Sequence, residues 1–286
     1  MLEREGLDQG EPVVDVLGAQ LIGGEHEPLH LPALAAPRGH AGQGHGEDET
    51  GERQHRPENG PGEREVTMPA VWPKTTRAAV RLQERLRGKL ELSGGPRRVR
   101  LVAGADLSYA KGSDQFFAAV VVVDFPSLSV VEEATAEGRS PFPYIPGLLS
   151  FREGPLLLRA FRNLACRPDL LFFDGHGIAH PRGFGIAAHL GLLLGIPSLG
   201  CGKSRLVGEH AEPGESAGSV APLRYRGRRV GTVVRTRART KPLFVSPGHL
   251  LGHAAAVRWA LRLCDGYRLP APVRLAHLAS NALRIA

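Results

Sequence analysis

Three carboxylates stand out by where they fall in the chain. Asp106 lies near the end of the extended string VAGADLSY (102–109), Asp174 directly follows the apolar run LLFF (170–173), and Glu153 opens the helical pattern EGPLLLRAFRNLA. Two therefore end strands and one starts a helix, and open α/β sheets carry their chemistry at strand ends. Hard divalent cations take oxygen ligands, and Mg²⁺ is typically held by one or two carboxylates, waters and substrate phosphates. Such a group beside a basic surface is the expected layout for metal-assisted phosphodiester hydrolysis. Lys203, following the glycine-rich string GCG, is expected at a strand end like Asp174, where it could stabilise charge on a phosphate. Each residue also has a plainer reading. Asp174 could hydrogen-bond its own glycine turn, Glu153 could favour a helix dipole, and Lys203 could be a solvated charge. His277, in RLAHLAS, reads by itself as a partly buried structural histidine. His176, His189, His249 and His253 show no ligand spacing and read as structural too.

The elements that must position these groups follow from periodicity. Residues 74–92 carry Ala79, Leu82, Leu86 and Leu90 at helical spacing and stop at Gly94-Gly95-Pro96. Strands are expected at 99–109, 116–125 and 128–133, joined by short turns into an antiparallel meander. Residues 140–153 (SPFPYIPGLLSFRE) form a loop stiffened by Pro141, Pro143 and Pro146. It leads into a helix over about 153–165, with Pro155 among its early positions. A buried strand at 170–173, a small-residue helix at 185–194 and a strand at 196–200 follow. Gly200-Cys201-Gly202 reads as a turn, 224–235 as a polar hairpin around Gly227, and 244–246 as a short strand. Helices are expected from 247 to about 264 and from about 272 onward. The order predicts an α/β fold with a mixed sheet, part antiparallel and part parallel, flanked by helices. It is the element order of the ribonuclease-H-like architecture.

Charge is unevenly spread. Residues 1–67 hold 5 arginines and 14 acidic groups; taking these from the chain's 36 basic and 29 acidic residues leaves 31 and 15 for 68–286. The C-terminal part is thus strongly basic, which suits a polyanionic partner, nucleic acid before membrane. Residues 1–67, rich in Gly, Pro, Glu and His, read as a disordered acidic extension. Met68 opens MPAVWPKTTRAAV, which looks like an ordinary start, so the extension is a candidate for a stretch that is not translated. Three cysteines without CxxC spacing argue against a zinc site and a disulfide scaffold. No apolar run is long enough to cross a membrane, and no basic-then-apolar leader opens the chain; a cytoplasmic location is the expectation.

The strings VAGADLSY (102–109), FPYIPGLLSFREGPLLLRAF (142–161), DGHGIAHPRGFGIAAHLGLLLGIPSLG (174–200), GKSRLVG (202–208), FVSPGHLL (244–251) and PAPVRLAHLAS (270–280) resemble the endonuclease V family in order and spacing. The resemblance implies a ribonuclease-H-like, Mg²⁺-dependent DNA-repair endonuclease, with Mn²⁺ as a substitute. It would recognise deaminated adenine as deoxyinosine and nick the second phosphodiester bond on the 3′ side, leaving 3′-hydroxyl and 5′-phosphate ends. By the same resemblance Asp106 and Asp174 are the principal metal ligands, Glu153 completes the acidic cluster, Lys203 is the active-site lysine and His277 lies close to the metal. Tyr144, Ile145 and Pro146 match the wedge that enters the duplex at the lesion. Gly147, Leu149, Gly175, His180 and Gly202 match the pocket around the extruded base. Where the family more usually has Val-Ala, this chain has Cys201-Gly202, and the glycine is expected to loosen that pocket.

Partners are expected to be DNA containing deaminated bases, or inosine-containing RNA; no membrane partner and a monomeric enzyme are expected. An inosine-specific endoribonuclease differs only in substrate, and rates on matched DNA and RNA oligonucleotides discriminate it. A non-catalytic nucleic-acid-binding module would need a broken acidic cluster, whereas Asp106, Glu153 and Asp174 are all present.

Overall fold

The most apolar stretch of the chain becomes the hydrophobic spine of its sheet. β2 (Gln115–Asp124) is buried along nearly its whole length and pairs antiparallel with β1 (Leu101–Tyr109) and β3 (Val130–Arg139). The computed structural model describes residues 72–285 apart from 111 and 113. The acidic stretch at 1–67, and with it the expectations about its order and about Met68, lies outside the described residues.

β1 also pairs in parallel with β4 (Leu170–Phe173), and β4 with β5 (Ser198–Gly202). β8 (Leu243–Pro247), β7 (Arg228–Val234) and β6 (Val220–Tyr225) add antiparallel strands on the far edge, giving the order β3-β2-β1-β4-β5-β8-β7-β6. The first five strands are the ribonuclease-H-like arrangement that the element order implied. β4 reads as a short run with no polar alternation because it lies mid-sheet with helices on both faces and all four residues buried.

The helices cover both faces. On one, α4 (His253–Arg262) and α5 (Ala271–Ile285) pack over Val102, Phe172 and Leu199. On the other, α2 (Leu149–Arg162) and α3 (Ile186–Leu194) pack over Ala103, Val120 and Leu171. α1 (Thr76–Arg87) buries Ala79 and Leu82 against Leu148 and Phe151. Its N-cap Thr75 accepts from the Ala78 amide at 3.3 Å. No helix among the described residues is long and apolar enough to cross a membrane.

Several boundaries differ from expectation. α2 begins at Leu149, not near Glu153, so Glu153 lies past the first turn and Pro155 is interior. A proline there cannot donate to the carbonyl four residues back. The Trp72 indole supplies that hydrogen bond, donating to the Phe151 carbonyl at 2.9 Å. Gly200, Cys201 and Gly202 are not a turn; they are the end of β5, paired with Ser246, Val245 and Phe244 of β8. β3 runs on to Arg139, held by the whole length of β2. α4 starts at His253, later than the Pro247-Gly248 pair suggested.

Candidate active site

The register of β1 against β4 brings the first two carboxylates together. Ala105 pairs with Phe173 across parallel strands, so Asp106 and Asp174 are the next residues on neighbouring chains. The Asp174 amide donates to the Ala105 carbonyl at 3.4 Å, continuing that ladder by one step. β5 lies on the other side of β4, and Lys203, just beyond it, reaches back so that its Nζ is 2.5 Å from Asp174 Oδ2.

α5 supplies the fourth group. It can approach β1 closely because β1 has a glycine at 104: a Cβ there would lie 2.0 Å from the Pro272 carbonyl oxygen and 2.6 Å from the Val273 nitrogen, far inside van der Waals contact. One turn along the same helix face, His277 Nδ1 comes within 2.7 Å of Asp106 Oδ2. Ser280, a further turn on, donates from Oγ to Asp106 Oδ2 at 3.2 Å and accepts from Ser108 Oγ at its carbonyl. Asn281 Nδ2 donates to the His277 carbonyl at 2.9 Å and lies 3.2 Å from His277 Nε2. With Nε2 as acceptor, the His277 proton sits on Nδ1 and faces Asp106.

One side-chain atom each of Asp106, Asp174 and His277 lies within 4.8 Å of the others, and with His277 committed to Asp106 and Asn281 the two carboxylates are the groups left to ligate. Glu153, on α2, expected to complete the acidic cluster, is not among these close ligand atoms and couples to Asp106 and Asp174 electrostatically. Burial first, then repulsion from Asp106 and Asp174, pushes its carboxyl up to about 8. Asp174 is also raised, by burial, with Lys203 opposing. Three carboxylates sharing a partly buried volume strain against their own charge. Two carboxylate oxygens beside a desolvated third acid are the oxygen-rich donor set that a hard cation would relieve.

A cavity of about 580 Å³ opens beside the cluster. Tyr144, Ile145, Pro146, Gly147, Leu149, Gly175, His180 and Gly202 all line it, together with Asp174 and Lys203. All eight positions named from the resemblance therefore border one cavity. Tyr144 is 67% exposed at its rim. The loop that carries it is held from below by one carbonyl, that of Gly147, which accepts from Gln83 Nε2 at 3.0 Å, Arg182 at 2.6 Å and His180 Nε2 at 2.8 Å. Gly147 has φ +79°, and a Cβ there would meet Arg182 at 2.9 Å, so both its conformation and its neighbours require glycine. His180 Nδ1 accepts from the Arg182 amide at 3.1 Å, so its donor is Nε2. Burial holds this imidazole neutral, its pKa lowered to about 4.

Gly202 does not loosen the cavity as expected. The ring of His176 occupies the space a methyl group would need, and a Cβ at 202 would lie 2.5 Å from its Cε1. His176, read as structural from sequence, is thus a lining residue. Ile186, Ser204, Arg205 and Gln83 also line the cavity and were not anticipated. Gln83 could have been found: it is a polar residue on the apolar face of α1 beside Ala79 and Leu82, and it is fully buried. Ser280 and Asn281 follow from helical spacing after His277, but only once His277 is assigned.

His189 keeps its structural reading. It is fully buried, stacks on Trp72 with centroids 5.2 Å apart, touches Phe151 and Phe184, and shares a hydrogen bond with Ser150 Oγ at 3.0 Å. Burial lowers its pKa from 6.5 to about 3. The unfolded chain binds a proton below pH 6.5 and the folded chain does not, so this residue's contribution is full above pH 6.5 and is lost as pH falls toward 3. Glu153 has the opposite sign, because a raised carboxyl favours the fold as pH falls. The informative quantity is therefore a difference. Between pH 7.5 and 5, wild type should lose about 2 kcal/mol of unfolding free energy relative to His189→Gln. Parallel pH profiles from urea denaturation would contradict neutral burial of this ring.

The comparisons with known proteins agree with this geometry. The sequence model described as Endonuclease V matches residues 84–278. The Endonuclease V of Myxococcus xanthus is 50% identical over 214 residues, covering 74% of this chain and 91% of that protein. The Endonuclease V structure from Streptomyces avermitilis is 42% identical with a TM-score of 0.72, covering 77% of this chain and 98% of the other. That of Ciona intestinalis, solved in complex with a 24mer DNA containing an inosine followed by a ribo-adenosine, is 23% identical with a TM-score of 0.63; it covers 72% and 96% and shares the fold. Over most of its length, then, this chain belongs to the endonuclease V family of nucleases.

Proposed function

We propose that the chain incises nucleic acid beside a deaminated adenine, with deoxyinosine in DNA as its substrate and the second phosphodiester bond 3′ to the lesion as the bond cut. The observation that carries this reading is the junction of a carboxylate cluster with a cavity of base-accommodating size behind a stiffened, exposed loop. The inosine-containing DNA bound by the Ciona intestinalis protein of the same fold supports the substrate class.

Asp106 and Asp174 would hold a divalent cation, Mg²⁺ or in its place Mn²⁺, with Glu153 completing the acidic cluster. Such an ion neutralises phosphate charge and lowers the pKa of a bound water. Lys203, now 2.5 Å from Asp174, is within reach of any phosphate drawn to that carboxylate and would offset charge building on it. His277, with its proton directed at Asp106, fixes which oxygen of Asp106 stays free. Tyr144, Ile145 and Pro146 would enter the duplex and occupy the gap left by the extruded nucleotide, since a base cannot be read on its Watson–Crick edge while it is stacked and paired. Pro143 and Pro146 reduce the entropy lost when that loop is ordered. Gly147, Leu149, Gly175, His180 and Gly202 would surround the extruded base, and the neutral His180 places no charge there. All three cysteines are free thiols, in keeping with a reducing cytoplasmic setting, where the chain would act as a monomer.

Two measurements test this. Cleavage of matched oligonucleotides carrying inosine or adenosine, as DNA and as RNA, should show the fastest rate on inosine DNA; equal rates on inosine and adenosine would refute base recognition, and a faster rate on RNA would move the substrate to the endoribonuclease reading. Tyr144→Ala should weaken lesion affinity in Ca²⁺ by about 10-fold or more, the scale of one base–aromatic stack. Because Tyr144 is exposed, thermal stability should not move. Unchanged lesion affinity would remove the wedge role.

A further inference from the structure

Behind the wall formed by Gly147, His180 and Arg182 lies a second cleft of about 350 Å³, bordered by Arg87, Tyr225, Arg226 and Arg228. Besides Arg182, its other three arginines come from two distant parts of the fold. Arg87 ends α1 and lies against Gly183, where a Cβ would come within 3.2 Å of its Nε. Arg226 and Arg228 flank Gly227 at the tip of the β6–β7 hairpin, and the Arg226 guanidinium lies 5.1 Å from the centroid of the Tyr225 ring. All three are exposed, and none forms an ion pair with a carboxylate among the described residues. Their neighbours are already committed elsewhere: Arg229 bonds Gly231 and Thr232, and Arg182 bonds Gln83 and Gly147. Glu84 acts electrostatically on Arg182 but pairs with none of the three.

Taken singly, Arg87 could simply complement the C-terminus of α1, and a hairpin arginine could be a solvated charge. Arg87, Arg226 and Arg228, none of them ion-paired, converge with Arg182 on a cleft that no carboxylate lines, and such a group of guanidiniums forms an anion site. Its shape narrows the anion. The cleft is open, and the buried His180 side chain separates it from the base cavity, so a strand bound at both would pass over that wall at the surface.

We propose that this cleft is a second nucleic-acid site, binding backbone phosphates of the polynucleotide on the far side of the His180–Arg182 wall from the extruded base. It rests on the reading of the neighbouring cavity as the lesion site, and it lengthens the footprint of the bound strand toward the hairpin. Its contribution is electrostatic and blind to sequence, since phosphate contacts position a protein without specifying a base.

Arg226 has φ +51°, which asparagine tolerates well, so Arg226→Asn with Arg228→Gln removes both charges without straining the hairpin. Fluorescence anisotropy on duplexes with and without inosine, in Ca²⁺ across a salt series, reads the effect. Each lost phosphate contact should reduce the slope of log K against log salt by about 0.9, so the double variant should lose about 2 units of slope and about 10-fold or more in affinity at 0.1 M salt, on both duplexes alike. Arg226→Lys with Arg228→Lys, which keeps the charge, should restore the slope. An unchanged slope in the first variant overturns the inference, as does loss of affinity with the slope intact. If wild type fails to distinguish the two duplexes, the lesion reading falls, while the slope comparison still decides the cleft.

Discussion

Asp106→Asn and Asp174→Asn should each lower strand incision by about 10²–10³-fold or more, while binding to the lesion duplex in Ca²⁺ should survive. The size follows from what the carboxylates do. Each removes a full negative charge from a site where water is partly excluded and charge interactions are strong, the setting in which loss of one electrostatic group costs most. The amide keeps the shape of the carboxylate, so β1 and β4 should stay in register and the cavity should keep its lining. The two variants differ in one respect. Asp174 is the partner of Lys203 at 2.5 Å, so its loss also frees the ammonium, whereas loss of Asp106 frees His277. Asp174→Asn should therefore be the less restorable of the two by raised Mn²⁺ concentration. Single-turnover incision with matched binding curves checks this. Full activity in either variant would remove the metal assignment.

The second large effect is structural and lies one turn from the chemistry. Gly104→Ala should cost about 3 kcal/mol or more of folding stability, and should lower incision even at a temperature where the fold persists. The added methyl has nowhere to go, because it meets backbone of α5 at Pro272 and Val273 rather than a side chain that could swing aside. Overpacking against rigid backbone is resolved only by moving one element. The element free to move is α5, which carries His277 and Ser280, the two groups that hydrogen-bond Asp106. Chemical denaturation reads the first effect and single-turnover incision the second. A variant as stable and as fast as wild type would show that α5 does not depend on this contact.

How much of this was visible beforehand depends on which physical signal wrote each element. β4 was read at its true bounds because a fully buried strand leaves a continuous apolar run. The meander of β1 to β3 was visible because apolar strands alternate with turn residues. The start of α2 was misread because the PYIPGLL string signals a loop, and the helix begins at Leu149 with no side-chain cap to announce it. Its interior proline is tolerated through the Trp72 indole, a contact across 79 residues that no local pattern reveals. The glycines at 200 and 202 read as a turn in the sequence; they lie in a strand, where their small size makes room for the Gly175 carbonyl and the His176 ring.

The candidate site divides in the same way. Asp106 and Asp174 were legible because both fall at strand ends, and parallel pairing then sets them side by side. Glu153 reads from sequence as a first-turn residue; it lies one turn further along α2 and couples to Asp106 and Asp174 electrostatically. Gln83, Ser280 and Asn281 act through other side chains, and their roles exist only in three dimensions. His176 has no ligand spacing in the sequence, a criterion that speaks to metals and not to the lining of a cavity.

The most direct test of the central claim is the incision pattern on a duplex bearing one inosine, followed with and without Mg²⁺. A single nick is expected at the second phosphodiester bond 3′ to the inosine, leaving 3′-hydroxyl and 5′-phosphate ends, absent in EDTA and absent on the adenine control. Cleavage that persists in EDTA, or that falls equally on the control strand, would contradict it.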